Sequence, residues 1–398
     1  MAVTNARISL MHIAKLSNQL TMTILAVGFF LLSSLFSPLH AAVLPEDRAD
    51  IMYHRYDGGG MVIDGPSVLV RKNIADKISL AGNYYIDSVS SASIDVETSG
   101  ATEYTEERKE YSFDASYLKD KSLINIGYTS STENDYDASS VRFDFSQDLF
   151  GDMTTVSMGY SQGNDDITQT GNEEFSEKLE RRHYRIGIAQ VLSRNLIANI
   201  NYESIIDEGY LQNPYRFILI DRISAYELDE ERYPNTRNSD AVSFKLSYHL
   251  PWSAAVKSRL GYFTDSWGID AASIELDYSH KLKNRLLLDL RLRYYQQSDA
   301  DFYANVFDVN TALQTFVGRD KELSQYQTYS IGLGASYQWN FRGIIDKARI
   351  NAQIDYMLFD YENFREVTKA TTASYGIGNE PFYNFNAYAL RLFFSVWY

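Results

Sequence analysis

The sequence predicts an all-β fold, a transmembrane antiparallel β-barrel of about 16 strands with short periplasmic turns and long extracellular loops. Three observations predict it. The chain ends in Y-A-L-R-L-F-F-S-V-W-Y, where Tyr388, Leu390, Leu392, Phe394, Val396 and Tyr398 form one wholly apolar or aromatic face. Two-faced segments of the same period recur along the chain. The connections between them alternate between tight and long.

Taken in order, residues 1–42 read as a cleavable secretory signal. Arg7, His12 and Lys15 make a basic start, Thr21–Phe36 is a short apolar run, and Pro38 precedes the small pair Ala41 and Ala42. Residues 43–398 read as a single barrel domain, since no linker or shift of composition divides them. The first strand is expected near Ala49–Tyr56. Gly58-Gly59-Gly60 turns it into a second near Met61–Lys72, where Pro66 should force a bulge or register break. Clean alternation follows in Val141–Phe145, Leu196–Glu203, Val242–Leu250, Leu286–Tyr295 and Ile350–Tyr356. Tight connections are expected at Asn73–Lys77, Lys119–Ser122, Phe150–Met153, Leu192–Asn195, Leu250–Ala254, Lys281–Arg285 and Arg342–Lys347. Long ones are expected at Ile94–Glu107, Ser131–Ala138, Gly163–Ser176, Asp207–Thr236, Ser298–Ser324 and Glu362–Asn384. An even strand count leaves both chain ends on the periplasmic side, with the closing strand doubling as the signal for the barrel-insertion machinery.

Composition bounds the function. Mean hydropathy is −0.31, so this is no helical membrane protein. The 31 tyrosines against 4 tryptophans suit interfacial girdles, expected to include Tyr128, Tyr160, Tyr262, Trp267 and Trp339, with Trp252 in a periplasmic turn. The absence of cysteine excludes disulfides, thiol catalysis and cysteine-held zinc. A net charge of −15 argues against nucleic acid as a partner. The implied surroundings are the lipid and lipopolysaccharide of a bacterial outer membrane.

Several stretches carry a family resemblance. These are E-D-R-A-D-I-M-Y-H-R-Y-D-G-G-G-M-V-I-D-G-P-S-V-L-V-R-K-N (Glu46–Asn73), N-Y-Y-I-D-S-V-S-S-A-S-I-D-V (Asn83–Val96), T-E-E-R (Thr105–Arg108), Y-P-N-T-R (Tyr233–Arg237), F-T-D-S-W-G-I (Phe263–Ile269) and R-D-K-E-L-S (Arg319–Ser324). Together they resemble a family of uncharacterised Gram-negative proteins, a domain of unknown function. The resemblance implies an envelope barrel and supplies no activity.

Candidate site residues follow from strand parity. Asp114, Arg142, Asp144, His183, Arg185, Lys245, Asp289, Arg291, Arg293 and Asp355 fall on polar faces and should line the lumen, as should Glu275, Asp277 and Arg349. Such charges either pair across strands as a hydrated wall or form a constriction that sorts solutes by charge, with Arg291 and Arg293 beside Asp289 its best centre. His183 is the candidate base of a hydrolase, yet no partner for it is visible, and His54, His249 and His280 show no metal spacing. Gly332-Leu333-Gly334 lies in a strand pattern and marks a bulge or close approach rather than a dinucleotide loop. Acidic runs at Asp165-Asp166, Glu173-Glu174 and Glu227–Glu231 solvate an outer surface or bridge to lipopolysaccharide through divalent cations. Arg319-Asp320-Lys321-Glu322 reads as a helical turn or salt-bridged loop folded in as a plug. The expected function is a porin-like channel for small polar solutes, without enzymatic activity or cofactor. The alternatives are a non-conducting scaffold for an envelope partner and a barrel hydrolase.

Overall fold

The computed structural model describes residues 43–91, 104–222, 225–283 and 285–398. The chain runs as a meander. Strands β1 (Arg48–Gly58) and β2 (Met61–Ile74) are joined by Gly59 and Gly60, with φ of 60° and 77°. Glycine takes that left-handed pair without steric cost, which favours the tight turn here. Next come β3 (Ile78–Ser91), β4 (Tyr104–Lys119), β5 (Ser122–Thr132), β6 (Tyr136–Leu149), β7 (Thr154–Gln169), β8 (Asn172–Ser193) and β9 (Leu196–Gly209). The chain then leaves the wall for a separate two-stranded hairpin, β10 (Phe217–Arg222) and β11 (Ala225–Glu230). It returns as β12 (Thr236–Leu250), paired directly with β9. The wall finishes with β13 (Ala254–Asp265), β14 (Asp270–Leu282), β15 (Leu286–Gln297), β16 (Tyr326–Asn340), β17 (Lys347–Arg365) and β18 (Phe382–Trp397).

Sixteen of these strands form one closed antiparallel barrel. Closure is made by β1 against β18, from Arg48 opposite Trp397 to Gly58 opposite Ala387. Lipid offers the backbone no hydrogen-bond partners, so a sheet at membrane depth must close in this way. The final strand follows its predicted parity. Tyr388, Leu392 and Phe394 are exposed outward, while Ala387, Ala389, Ser395 and Trp397 are buried inward.

The outward face is an apolar belt edged by aromatic rings. At the loop end, cross-strand tyrosines meet in pairs: Tyr84 stacks on Tyr111, while Tyr160 with Tyr184, Tyr294 with Tyr329, and Tyr356 with Tyr388 are tilted, with centroids 4.7–5.1 Å apart. Tyr53, Tyr202 and Tyr262 join the ring, each donating its hydroxyl to an aspartate, Asp64, Asp240 and Asp270. Tyr248, Trp252 and Trp339 sit outward at the turn end. Ten residues separate Tyr262 from Trp252. That is about 33 Å of strand, or about 25 Å of height at a tilt of ~40°. Trp267 departs from the expectation. It lies buried at the loop end against Tyr233 and Phe302, not in the girdle.

Other differences concern the connections. Ser131–Ala138 and Gly163–Ser176 are not long loops. Strands β5 and β6 continue to a three-residue turn at 133–135, and β7 and β8 to a two-residue turn at Thr170-Gly171. Polar residues on both faces are what strands carry once they leave the bilayer, and in sequence that looks like a loop. At Pro66 the β2–β3 pairing lapses between Asp64 and Ser67, but the register is the same on both sides. The missing N–H interrupts the ladder without a bulge. Residues 1–42, where the signal was expected, and 92–103, the bulk of the expected Ile94–Glu107 loop, lie outside the described residues.

Candidate functional site

All ten predicted lumen residues occupy the inward face. The strands carry them there by parity alone, because their neighbours in sequence are the outward apolar residues. What parity does not show is how they meet. Arg142 on β6 reaches Asp114 on β4 at 2.5 Å, crossing β5 at Gly127, which stands in register between them. Arg185 on β8 reaches Asp144 on β6 at 2.7 Å, crossing β7 at Gly159. Arg142 also forms an ion pair with Asp144 at 3.0 Å, so the four residues form one ladder along the wall. A side chain at either glycine would collide with it. A Cβ on Gly127 would sit 2.7 Å from Asp114, and one on Gly159 would sit 2.5 Å from Asp144.

The ladder continues on the other side. Arg291 bonds Asp277 at 3.0 Å, Arg391 bonds Asp355 at 2.6 Å, and Asp289 accepts from Ser279 at 2.5 Å. Arg349 donates to Gln338 at 2.8 Å. Arg293 stands opposite Glu275 and over the ring of Tyr295. Asp289 and Arg291 of the triplet are thus bonded to β14, and Arg293 faces Glu275 on the same strand. His183 has the partner that sequence did not reveal, Glu203 on β9 at 2.9 Å. Lys245 faces the lumen opposite Asn199 and Arg259.

At the loop end two further groups of residues gather, of which the sequence indicates only the Arg319–Glu322 plug. In the first, His54 on β1 meets Asp87 on β3 at 2.6 Å and the Tyr85 hydroxyl at 3.0 Å. Arg108 on β4 bonds Glu110 at 2.5 Å and lies 3.7 Å from Glu133. Burial, and then the nearby Glu106, push the Glu133 carboxyl up to about 8 despite Arg108. The signal for this group was present. His54, Tyr85, Asp87, Glu106 and Arg108 all lie in stretches that carry the family resemblance.

The second group caps the mouth. The excursion between β9 and β12 packs Ile218 and Ile220 against Phe307, Ala312 and Val317 of the β15–β16 connection. Tyr233, Trp267, Ile269, Ala300 and Leu323 form a second apolar cluster beside it. Buried charges are satisfied between these segments. Arg216 pairs with Asp320, and Glu231 accepts from the Arg319 backbone N–H and the Tyr233 hydroxyl. Asp320 caps a short 3-10 turn at Lys321–Leu323. Arg319-Asp320-Lys321-Glu322 is thus both a helical turn and a salt-bridged loop. The stretches Y-P-N-T-R, F-T-D-S-W-G-I and R-D-K-E-L-S converge here, with Arg237 bonding Asp265 at 2.6 Å and lying over Trp267.

The excursion crosses the mouth. On one side Tyr215 donates to Asp135 in the β5–β6 turn and accepts from the Thr170 N–H in the β7–β8 turn. On the other, Tyr226 donates to Glu380 in the β17–β18 connection, next to helix α1 (Lys369–Tyr375). The β7–β8 turn and the β17–β18 connection are eight strands apart in a ring of sixteen, so the anchors are diametrically opposed. Burial, reinforced by Asp135, raises the Tyr215 hydroxyl above its ordinary value and keeps it a donor. The acidic runs divide accordingly. Glu173-Glu174 and Glu227–Glu230 are exposed, but Asp165 is turned inward onto Tyr136 and Glu231 is buried in the cap. Among the described residues no cluster of three metal-ligating side chains forms.

Comparison with known proteins adds the following. Among solved structures, a bacterial polysaccharide outer membrane secretin aligns with TM-score 0.48 and 7% identity, covering 89% of this chain and all of that one. The siderophore receptor PirA from Pseudomonas aeruginosa aligns with TM-score 0.42 and 9% identity over 81% of this chain and 60% of that one. OmpT, an outer membrane protein of Vibrio cholerae, aligns with TM-score 0.40 and 11% identity over 88% and 96%. No curated protein matches. The family described as Protein of unknown function (DUF3570) matches residues 98–185 and 174–389. That match takes in most of the barrel and all three cap segments, and the chain belongs to this family.

Proposed function

We propose that the protein is a channel of the bacterial outer membrane for small polar solutes, with a mouth crossed by the excursion between β9 and β12. The observation that carries this reading is the closed sixteen-strand wall, apolar outside and lined inside by a belt of paired charges. A barrel of this strand number encloses an aqueous bore rather than a bore filled by side chains. The belt would sort solutes by charge as they pass. The same reading makes the protein a non-enzyme, in which His183 and Glu203 are a wall pair. Lipid and lipopolysaccharide surround the belt, divalent cations bridge exposed carboxylates such as Glu173 and Glu174, and the last strand is read by the insertion machinery.

The test is single-channel conductance of the refolded protein in a planar bilayer, with and without Ser298–Ser324. The intact protein should conduct in small or interrupted steps, and the excised one in larger, steadier steps. A barrel that stays silent in both forms overturns the channel. The cap favours a second reading, a non-conducting scaffold whose partner binds at the loop end. Recovery of one specific partner by crosslinking from intact envelopes, together with silent bilayers, would select it.

A further inference from the structure

Most inward arginines of the belt are matched to an acid, but one stretch of wall gathers three cations around a single nearby carboxylate. Lys245 on β12 stands directly opposite Arg259 on β13, a like-charge pair in cross-strand register. Such pairs are destabilising when nothing lies between them. Lys257, two residues before Arg259 on the same face, adds a third cation. Neither Lys245 nor Lys257 makes a hydrogen bond or ion pair among the described residues, and neither does the amide of Asn199, opposite Lys245 on β9. The nearest acids are on β14, and neither is bonded to a lysine of the group. Asp277, though opposite Lys257, bonds Arg291 at 3.0 Å, and Glu275 lies 3.8 Å from Arg259.

The adjacent row makes room. Ser243, Gly261 and Ser273 stand in register on β12, β13 and β14, on the loop-end side of the three cations. Gly261 has no side chain, and the closest atom to a Cβ built there is the Ser273 hydroxyl at 2.7 Å. The result is a shallow hollow floored by a glycine, edged by two hydroxyls, and walled by two ammonium groups, a guanidinium and an amide.

We infer that this hollow is a binding site for a multivalent oxyanion of the phosphate class. A guanidinium offers paired N–H donors to two oxygens of one anion, and flanking ammonium groups act as point charges on the rest. A bound phosphate would also relieve the Lys245–Arg259 repulsion. The inference rests on the channel reading only in taking the lumen to be water-filled, and it names the solute that the channel favours.

The experiment uses the refolded full barrel and inorganic triphosphate. Binding is followed by calorimetry in detergent, and block of current in the planar bilayer. The comparison is between the wild type, the double variant Lys245→Gln/Lys257→Gln, and Arg71→Gln, a lumen cation on a distant strand. Neither lysine holds an acid in place, so the double variant should keep its barrel circular dichroism and heat-modifiable mobility. The wild type and Arg71→Gln should bind alike. The double variant should bind at least ~10-fold more weakly, the equivalent of one good ionic contact. Equal affinity in the double variant, or no binding by the wild type at millimolar triphosphate, overturns the site. Binding with silent bilayers supports the site while removing the channel, and conduction without binding does the reverse.

Discussion

At the scale of single residues, the wall depends on where side chains are missing. Gly332 on β16 stands between Arg291 on β15 and Asp355 on β17. A Cβ there would lie 2.1 Å from the Asp355 carboxylate, so Gly332→Ala must displace the partner of Arg391. We expect a loss of about 1–3 kcal/mol, as for other overpacked sites, read as a lower urea midpoint. Gly82→Ala is the control, since its Cβ would meet only Phe113 at an ordinary 3.6 Å, and it should cost nothing. The facing of Asp355 and Arg291 was legible because parity is local. Their partners were not legible, because an arginine that spans two strands depends on the register of both. Gly332-Leu333-Gly334 did read correctly as a place of close approach, but nothing in the sequence said that the approaching group was a carboxylate.

At the scale of elements, the turns and connections of the loop end carry the chemistry. The β5–β6 turn holds Glu133, whose carboxyl is raised from 4.5 to about 8, chiefly by burial and next by Glu106. The folded state therefore binds the extra proton, and the stabilisation it brings is complete below about 4.5 and is lost as pH rises towards 8. The hydrogen-exchange protection factors of residues 133–136, with the intrinsic base-catalysed rise divided out, should fall from pH 5 to pH 8, and Glu133→Gln should flatten that profile. An unchanged profile in the variant would remove Glu133 as the cause. The cap makes a second prediction. Asp320→Asn leaves Arg216 buried beside a neutral group, a change that costs about 3–5 kcal/mol where an ion pair is fully enclosed. The variant should keep its barrel but become sensitive to protease between residues 210 and 235. Sequence marked this segment as a long connection and Arg319–Glu322 as a plug. It gave no sign of the cap's cohesion, since Val317 and Ile218 are apolar residues too few and too scattered to show a period.

At the scale of the molecule, strand number and closure were readable, because a two-residue period repeats whatever the neighbours do. The miscounted connections at 131–138 and 163–176 have the same origin, since strands that rise beyond the apolar belt no longer need alternation. The arched span over the mouth was unreadable for the opposite reason. Its supports are residues 135, 170 and 380, which only the finished ring sets at opposite points. That arrangement dictates an order of assembly. The span is synthesised in the middle of the chain, but its far abutment, Glu380, arrives just ahead of the strand that completes the circle. The arch is therefore seated at both ends only once the circle is complete.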